Sequence, residues 1–401
     1  MKPDPHPNPK PAPNPKSSSK PFSTPHSPNP HLSISPPSSF FSNIPLLTPS
    51  SFIFWNCNAL RPRLEYSVPE IANMLATHDP DIVFLSEVRL TCASLHTQSS
   101  LSTIDQKSQA EKRLYASSFT TGPFSAYSQV ALSLTTKRYA GTACFIKKSL
   151  LMTGSVNVSY CLPGTAPTTS SKPAANTPSI ASFFGGATKK QKLDPHDPDG
   201  RLIMIECETI YIVHVYAPNN GKDQTSFDRR TAWDDKVRGF FKAVQRNGGV
   251  WEGKPVLFCG DLNVTPKPLE DLSHPSWFKM QFKSDVPGYS GQPGMTPNEV
   301  AAFDKLCCEG NLVDAYRHLH PHSGDACEDI TRPLFTWRGT RGADTPEAGR
   351  YFRKAMRIDL LLVNKAHVEM IGECEITGEG ECNKDPSFCG SDHCPVYCRL
   401  E

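Results

Sequence analysis

From residue 52 onward the chain alternates short apolar runs with stretches of helical period. Residues 51–55, 82–85, 141–146, 202–206, 210–216, 256–259, 358–363 and 395–400 are rich in β-branched and aromatic side chains and are bounded by Gly, Pro, Asp or Asn. Runs of that length and composition predict buried strands. Residues 66–78 and 229–246 carry apolar positions at helical spacing, the second placing Trp233, Val237, Phe240, Phe241 and Val244 on one face. The alternation predicts a mixed α/β architecture, two sheets covered by helices. In such folds the loops at strand ends open into a shared crevice, which is where chemistry is expected.

Two stretches break the pattern. Residues 1–50 hold 15 Pro and 11 Ser, four Lys, no Arg and one acidic residue, Asp4. So little apolar surface cannot offset the entropy of ordering, and a disordered extension is expected, with the folded domain running over 51–401. Residues 163–200, rich in Pro, Thr, Ser, Ala and Lys, lack any period and read as a disordered loop inserted between two strands of that domain.

Composition narrows the class only slightly. The 42 basic and 40 acidic residues leave a formal charge of +2, so any affinity for nucleic acid must come from a local patch. Fourteen cysteines, many placed singly in apolar runs (Cys57, Cys144, Cys207, Cys259), read as small core residues in a reducing compartment. Among Cys374, Cys382, Cys389, Cys394 and Cys398 the spacing is irregular. Cys394 and Cys398 fall on one strand about 13 Å apart, too far to share a zinc ion. No apolar run approaches the roughly 20 residues that span a bilayer, and no secretory signal core begins the chain, so no membrane partner is expected.

Candidate chemistry sits where apolar runs end. Asp261 and Asn263 follow the run 256–259 and Gly260, two apart and so on the same side of an extended strand end. An Asp there accepts a proton from water while the amide donates to a phosphate oxygen; the same Gly-Asp-x-Asn is as readily an Asx turn before Pro266. Ser391-Asp392-His393 precedes the final strand, and an imidazole facing a phosphate stabilises developing charge, although an isolated Ser-Asp-His is also an ordinary turn. Glu87 closes the run that begins at Ile82 and suits a Mg²⁺ ligand or a plain surface site. Asn56 and Tyr216 close two more strands.

The ordered elements Trp55-Asn56, Ser86-Glu87, Tyr216-x-Pro218-Asn219, Gly260-Asp261-Leu262-Asn263, Asp314-Ala315-Tyr316-Arg317, Phe335-Thr336-Trp337, Arg357-Ile358-Asp359 and Ser391-Asp392-His393 resemble the exonuclease III type of apurinic/apyrimidinic (AP) endonuclease, within the endonuclease/exonuclease/phosphatase superfamily. The resemblance spans nearly all of the chain from residue 52. It implies a four-layer α/β sandwich that cuts duplex DNA 5′ to an abasic site with Mg²⁺, or Mn²⁺ in its place, and that also acts as a 3′-phosphodiesterase or 3′–5′ exonuclease. It further implies Glu87, Asn56 and Asp392 at the metal, with Asp261 and Asn263 beside it. Asp261 would act on the attacking water and Asn263 and Tyr216 on phosphate oxygens. His393 would contact the scissile phosphate with its tautomer fixed by Asp359, and Asn219 would position the substrate. Trp337 and Met356, by the same analogy, wall a pocket for a sugar without its base, next to Arg357. Ser86 stands where the family has Gln, Val88 where it has Thr and Ala59 where it has Gly. The runner-up is another superfamily phosphohydrolase, a phosphoinositide phosphatase or non-specific nuclease; a catalytically dead clamp adaptor is a third.

Three further features bear on partners. Arg332, Arg338, Arg341, Arg350, Arg353, Lys354 and Arg357 face only Asp344 and Glu347, with Trp337, Tyr351 and Phe352 interleaved, a pattern suited to a phosphate backbone with an unpaired site. Ile180, Phe183 and Phe184 resemble the hydrophobic plug of a sliding-clamp-binding box over residues 177–184, with Thr177 where Gln is usual. Lys189-Lys190-Gln191-Lys192 reads either as a nuclear-import signal or as a solubilising run. Expected accordingly is a monomeric nuclear repair enzyme, with mitochondrion or plastid as the alternative compartment.

Overall fold

Side-chain alternation along the strands sorts the chain into layers. The computed structural model describes residues 45–90, 106–135, 138–163, 200–281, 284–287, 289–321, 333–340, 350–380 and 384–401, which all fall within the unit His31–Glu401. The predicted N-terminal extension up to residue 44, the insert from 164 to 199 with Ile180, Phe183 and Phe184, the Lys189 run, and Arg332, Arg341, Asp344 and Glu347 lie outside the described residues.

One sheet is built from β1 (Ser51–Asn56), β2 (Ile82–Ser86), β3 (Tyr127–Ser133), β4 (Thr142–Lys147), β14 (Ile371–Ile376) and β15 (Val396–Leu400), in the order β14-β15-β1-β2-β4-β3. The other is built from β5 (Asn157–Ser159), β6 (Leu202–Glu206), β7 (Tyr211–Tyr216), β9 (Lys254–Asp261), β10 (Leu312–Asp314) and β13 (Asp359–Asn364), in the order β10-β13-β9-β7-β6-β5, with β8 (Val250–Trp251) paired to β9. A separate two-stranded ribbon joins β11 (Trp337–Arg338) to β12 (Ala355–Met356).

Phe52, Phe54, Ile82 and Phe84 of the first sheet share one core with Ile212, Leu257, Cys259, Leu361 and Val363 of the second. Their strand neighbours Ile53, Trp55, Val83 and Leu85 pack outward with residues of α1 (Leu60–Tyr66) and α2 (Val68–His78). Val213, Val215, Phe258 and Leu360 pack outward with α5 (Gln224–Arg246) and α7 (Pro297–Gly310), and the other α-helices among the described residues are α3 (Gln106–Ser118), α4 (Lys148–Leu151), α6 (Pro275–Gln281) and α8 (Ala315–Leu319). Helices, sheet, sheet, helices: strands covered on both faces read as continuous apolar runs, which is why the sequence exposed them. Among the described residues, no helix is long and apolar enough to cross a membrane, and the described cysteines are free.

Two expectations change. The helix predicted over 66–78 begins at Val68, because Tyr66 closes the preceding helix α1 and Ser67 separates the two ahead of Pro69. Residues 45–50, placed in the extension by the sequence, are partly docked: Leu47 is 1% exposed in the inter-sheet core, and its amide donates to the Ser155 carbonyl at 2.9 Å. A two-leucine anchor is too short to show a period.

Candidate functional site

The same parity that sends Phe52, Phe54, Ile212 and Leu257 between the sheets carries Asn56, Ser86, Tyr216, Asp261 and Asp359 to the mouth of that layer. Register fixes their neighbours: Asn56 stands beside Ser86, Tyr216 beside Asp261, and Asp261 beside Asp359. Gly260 makes the close pairing possible. Its φ is +129°, and a Cβ there would lie 2.1 Å from the Val215 carbonyl oxygen.

Asp261 is 2% exposed, and its carboxylate accepts from the Asn56 amide at 2.8 Å and from the Asn263 backbone N–H at 2.9 Å. Asn263, at φ +47°, turns its own amide to the Ala217 carbonyl at 2.8 Å. Opposite, His393 Nδ1 lies 2.7 Å from Asp359 Oδ2. Asp359 Oδ1 is buried with no hydrogen-bond partner among the described residues, and Asp261, Asp359 and His393 offer ligand atoms within 4.8 Å of one another. Burial, then the Asp359 carboxylate, pushes Asp261 up to about 7. Burial opposes charge on His393, but Asp359 in contact, with Asp261 and Asp392 nearby, lifts it to about 10. His393 is thereby held as an imidazolium at neutral pH, and it faces the cleft as a cation. The Tyr216 phenol is pushed well up by burial and by the Glu87 and Asp261 charges, so it is a donor.

The Ser of Ser391-Asp392-His393 anchors the loop: its hydroxyl donates to the Asn56 carbonyl at 2.7 Å, and the Trp55 indole donates to the His393 carbonyl at 2.9 Å. Asp392 accepts from Asn58 at 2.7 Å and from the Trp337 indole at 3.0 Å. Trp337 is bridged to His393 and paired with Met356 across β11–β12, and Met356 is 3% exposed in a small apolar cluster with Leu272, Phe278 and Ile358. Tyr351 meets Trp337 edge-on at 5.8 Å, and Lys354 lies 5.2 Å over Trp277. Glu87, at φ +56°, is paired with Arg89. Asn219 is exposed at the rim.

Arg357 is a correction. Rather than meeting substrate, its guanidinium is 1% exposed, bound to Asp271 at 2.8 Å and Asp314 at 2.7 Å. This buried pairing ties the 271 loop and β10 beneath β12 and carries structure. Arg338 of the basic patch is likewise buried, under the Phe388 ring.

Sequence reasoning passes over three residues. Arg230, 3% exposed, donates to the carbonyls of Pro218, Leu262 and Asn263 and so holds both phosphate-side loops. Its signal is a charged residue on the apolar stripe of α5. Thr336 Oγ1 accepts the N–H groups of Ile358 and Asp359, and Arg89 partners Glu87 two residues away.

Among the described residues the ligand atoms that converge are those of Asp261, Asp359 and His393; the predicted ligands Glu87 and Asp392 fall outside that group, Glu87 paired with Arg89 and Asp392 with Asn58 and Trp337. The two buried carboxylates, with the unpartnered Asp359 oxygen, fit a hard divalent cation.

Known proteins place this geometry. A profile of the endonuclease/exonuclease/phosphatase family matches residues 53–393. A DNA-(apurinic or apyrimidinic site) endonuclease of Arabidopsis thaliana is 32% identical over 365 residues, covering 88% of this chain and 85% of that protein. A Plasmodium falciparum protein of the same name is 34% identical over 216 residues, covering 51% of this chain and 33% of that one. The crystal structure of an AP endonuclease from Leishmania major superposes with a TM-score of 0.56 at 18% identity, covering 93% and 92% of the two chains.

Proposed function

The chain belongs to the endonuclease/exonuclease/phosphatase family, and from that premise we propose that it is a DNA repair endonuclease that hydrolyses the phosphodiester 5′ to an abasic site, with Mg²⁺ as its cation and Mn²⁺ able to replace it. The observation that carries this reading is the buried group of Asp261, Asp359 and His393 within 4.8 Å, opening beside the Trp337 wall. The sequence likeness over most of the Arabidopsis endonuclease supports the substrate.

Asp261, poised near 7, takes the proton of the attacking water while Asn56 and the Asn263 N–H hold its oxygens in place. His393, kept charged by Asp359, neutralises the phosphate as negative charge builds in an in-line displacement, and Tyr216 and Asn263 donate to its other oxygens. Asp359 fixes the imidazole's orientation through the 2.7 Å contact. Glu87, Asn56 and Asp392 would hold the cation, which when bound supplies charge neutralisation at the phosphate and leaving oxygen. Trp337 and Met356 wall a pocket that admits a sugar lacking its base, and Asn219 at the rim touches the backbone. A 3′-phosphodiesterase and 3′–5′ exonuclease activity belong to the same proposal, because both cut a phosphodiester held by the same groups. Nuclear location, monomeric action and sliding-clamp contact through residues 177–184 rest on sequence pattern alone.

The test is single-turnover cleavage of a synthetic abasic duplex beside an intact duplex and an inositol phosphate, with and without EDTA. Selective, EDTA-sensitive cutting 5′ to the abasic site is expected. Equal cutting of the intact duplex, or preference for the inositol phosphate, would move the protein to the runner-up activities.

A further inference from the structure

Beneath the cleft, where the two sheets meet, a second imidazole takes no part in the chemistry above. His214 lies on β7 two residues before Tyr216 and is 0% exposed. Its Nε2 is 3.1 Å from Ser86 Oγ on β2 of the opposite sheet. Its ring stacks on Phe84 at 5.0 Å between centroids and 22° between planes, and its Nδ1 is 4.0 Å from Cys259 Sγ on β9. From β7, one side chain thus touches β2 and β9, and these three strands deliver Tyr216, Glu87 and Asp261 to the site. Burial drives its pKa down to about 3, against a backbone hydrogen bond at Leu85, so the ring is neutral.

A polar pair in this layer is not the cheapest filling. Ile203 and Cys259 flank His214 in register and Phe84 stacks on it, all three members of the apolar inter-sheet core, and two apolar side chains would pack there without any desolvation cost. What the pair adds is direction: a hydrogen bond between sheets fixes their spacing and stagger in a way that apolar contact does not. Ser86 is also the residue that departs from the Gln expected before Glu87, and the longer imidazole on the facing strand spans the gap that the short hydroxyl leaves.

We propose that His214 is a positioning residue that, through Ser86, sets the separation between the Glu87 edge of the cleft and the Tyr216–Asp261 edge. The proposal rests on the function proposed above, and its test has an arm that does not depend on turnover. Mn²⁺ binding to the full chain is measured by calorimetry, cleavage of the abasic duplex by single-turnover kinetics, and folding by circular dichroism and Tm. His214→Ala is expected to weaken Mn²⁺ binding about tenfold and to lower the cleavage rate at saturating DNA by a similar factor, as loss of an outer hydrogen bond does at metal sites, while KM for DNA stays nearly constant. Ser86→Ala, which removes one hydroxyl and leaves the stacked ring, should move both readouts the same way, and the double variant should be no worse than His214→Ala alone. His214→Gln, which returns a nitrogen near the Nε2 position, should recover most of the loss. Folded His214→Ala that binds Mn²⁺ and cuts like the parent, even with a lowered Tm, overturns the proposal. Should the parent fail to cut abasic DNA while both variants bind Mn²⁺ more weakly than it does, the activity falls and the positioning role stands. No Mn²⁺ binding by the parent overturns both.

Discussion

Two carboxylates and an imidazole whose ligand atoms lie within 4.8 Å do not titrate independently. The acid at the end of β9 does not behave as a surface carboxylate, because Asp261 is raised to about 7 while His393 is raised to about 10. The base must be ionised, so the cleavage rate should climb as pH rises through about 7. The imidazolium must keep its proton, so the rate should fall as pH passes about 10. A pH–rate profile at fixed Mg²⁺ checks both limbs, and raising Mg²⁺ should move the acid limb lower, because a nearby cation favours the carboxylate. Asp261→Asn and His393→Ala are each expected to reduce the rate by about a hundredfold or more while duplex binding survives. If both variants cut at the parent rate, Asp261 is not the base and His393 does not neutralise the phosphate. Ala59 permits a stability prediction. It occupies φ +76°, ψ +108°, a conformation that a Cβ disfavours, at the position where the family has Gly. Ala59→Gly should therefore raise unfolding stability by about 1 kcal/mol in a denaturant titration.

Between residues and fold stand the elements, where Arg357 separates two kinds of role. If its guanidinium met a phosphate, Arg357→Ala would raise KM and leave Tm alone. Bound as it is to Asp271 and Asp314, its loss should cost about 3 kcal/mol, seen as a lowered Tm, because a buried carboxylate is left undercompensated. The Asp271 carboxyl, held below the usual range by Arg357 and Arg317 in spite of its burial, shows how strong that pairing is. The strands were legible in the sequence because burial on both faces writes an uninterrupted apolar run, as in β1 and β2. The motif residues were legible because each borders such a run, Glu87 and Asp261 at its end and Asp359 and His393 at or just before its start. Helix α3, written QKSQAEKRLYASS, and strand β3, only half-buried over Ser128, Gln129 and Val130, carry no such contrast. Nor does a single sequence reveal which acid receives an arginine: Asp271 is 86 positions from Arg357. His214 reads as one polar interruption of a strand, and its meaning depends on Ser86, 128 positions away on the other sheet.

At the scale of the whole molecule, the segment between β5 and β6 tests which parts of the chain the site needs. The two strands are antiparallel neighbours, Ser159 opposite Met204, so the chain leaves and re-enters the sheet along one ladder. Re-entry is held independently of what lies between. Gly200, at φ +66°, packs where a Cβ would be 2.5 Å from the Ser133 carbonyl oxygen, and its own carbonyl accepts from Thr142 at 3.0 Å. Arg201 then donates to the Tyr216 carbonyl at 3.1 Å and to the Tyr139 hydroxyl at 2.6 Å, with its guanidinium 4.7 Å over the Tyr216 ring. The anchor that touches the site thus begins at Gly200. Replacing residues 166–197 with a short Gly-Ser turn should keep abasic-site cleavage within about threefold of the parent, and should stabilise the fold by about 1 kcal/mol, since a shorter loop costs less entropy to close. Arg201→Ala in the shortened chain should then lower the cleavage rate at saturating DNA, because the Tyr216 ring loses the cation that packs on it. If excision alone abolishes cutting while circular dichroism and Tm are unchanged, the inserted segment belongs to the catalytic machinery, and the site extends beyond the strand termini that carry Asn56, Tyr216, Asp261 and Asp359.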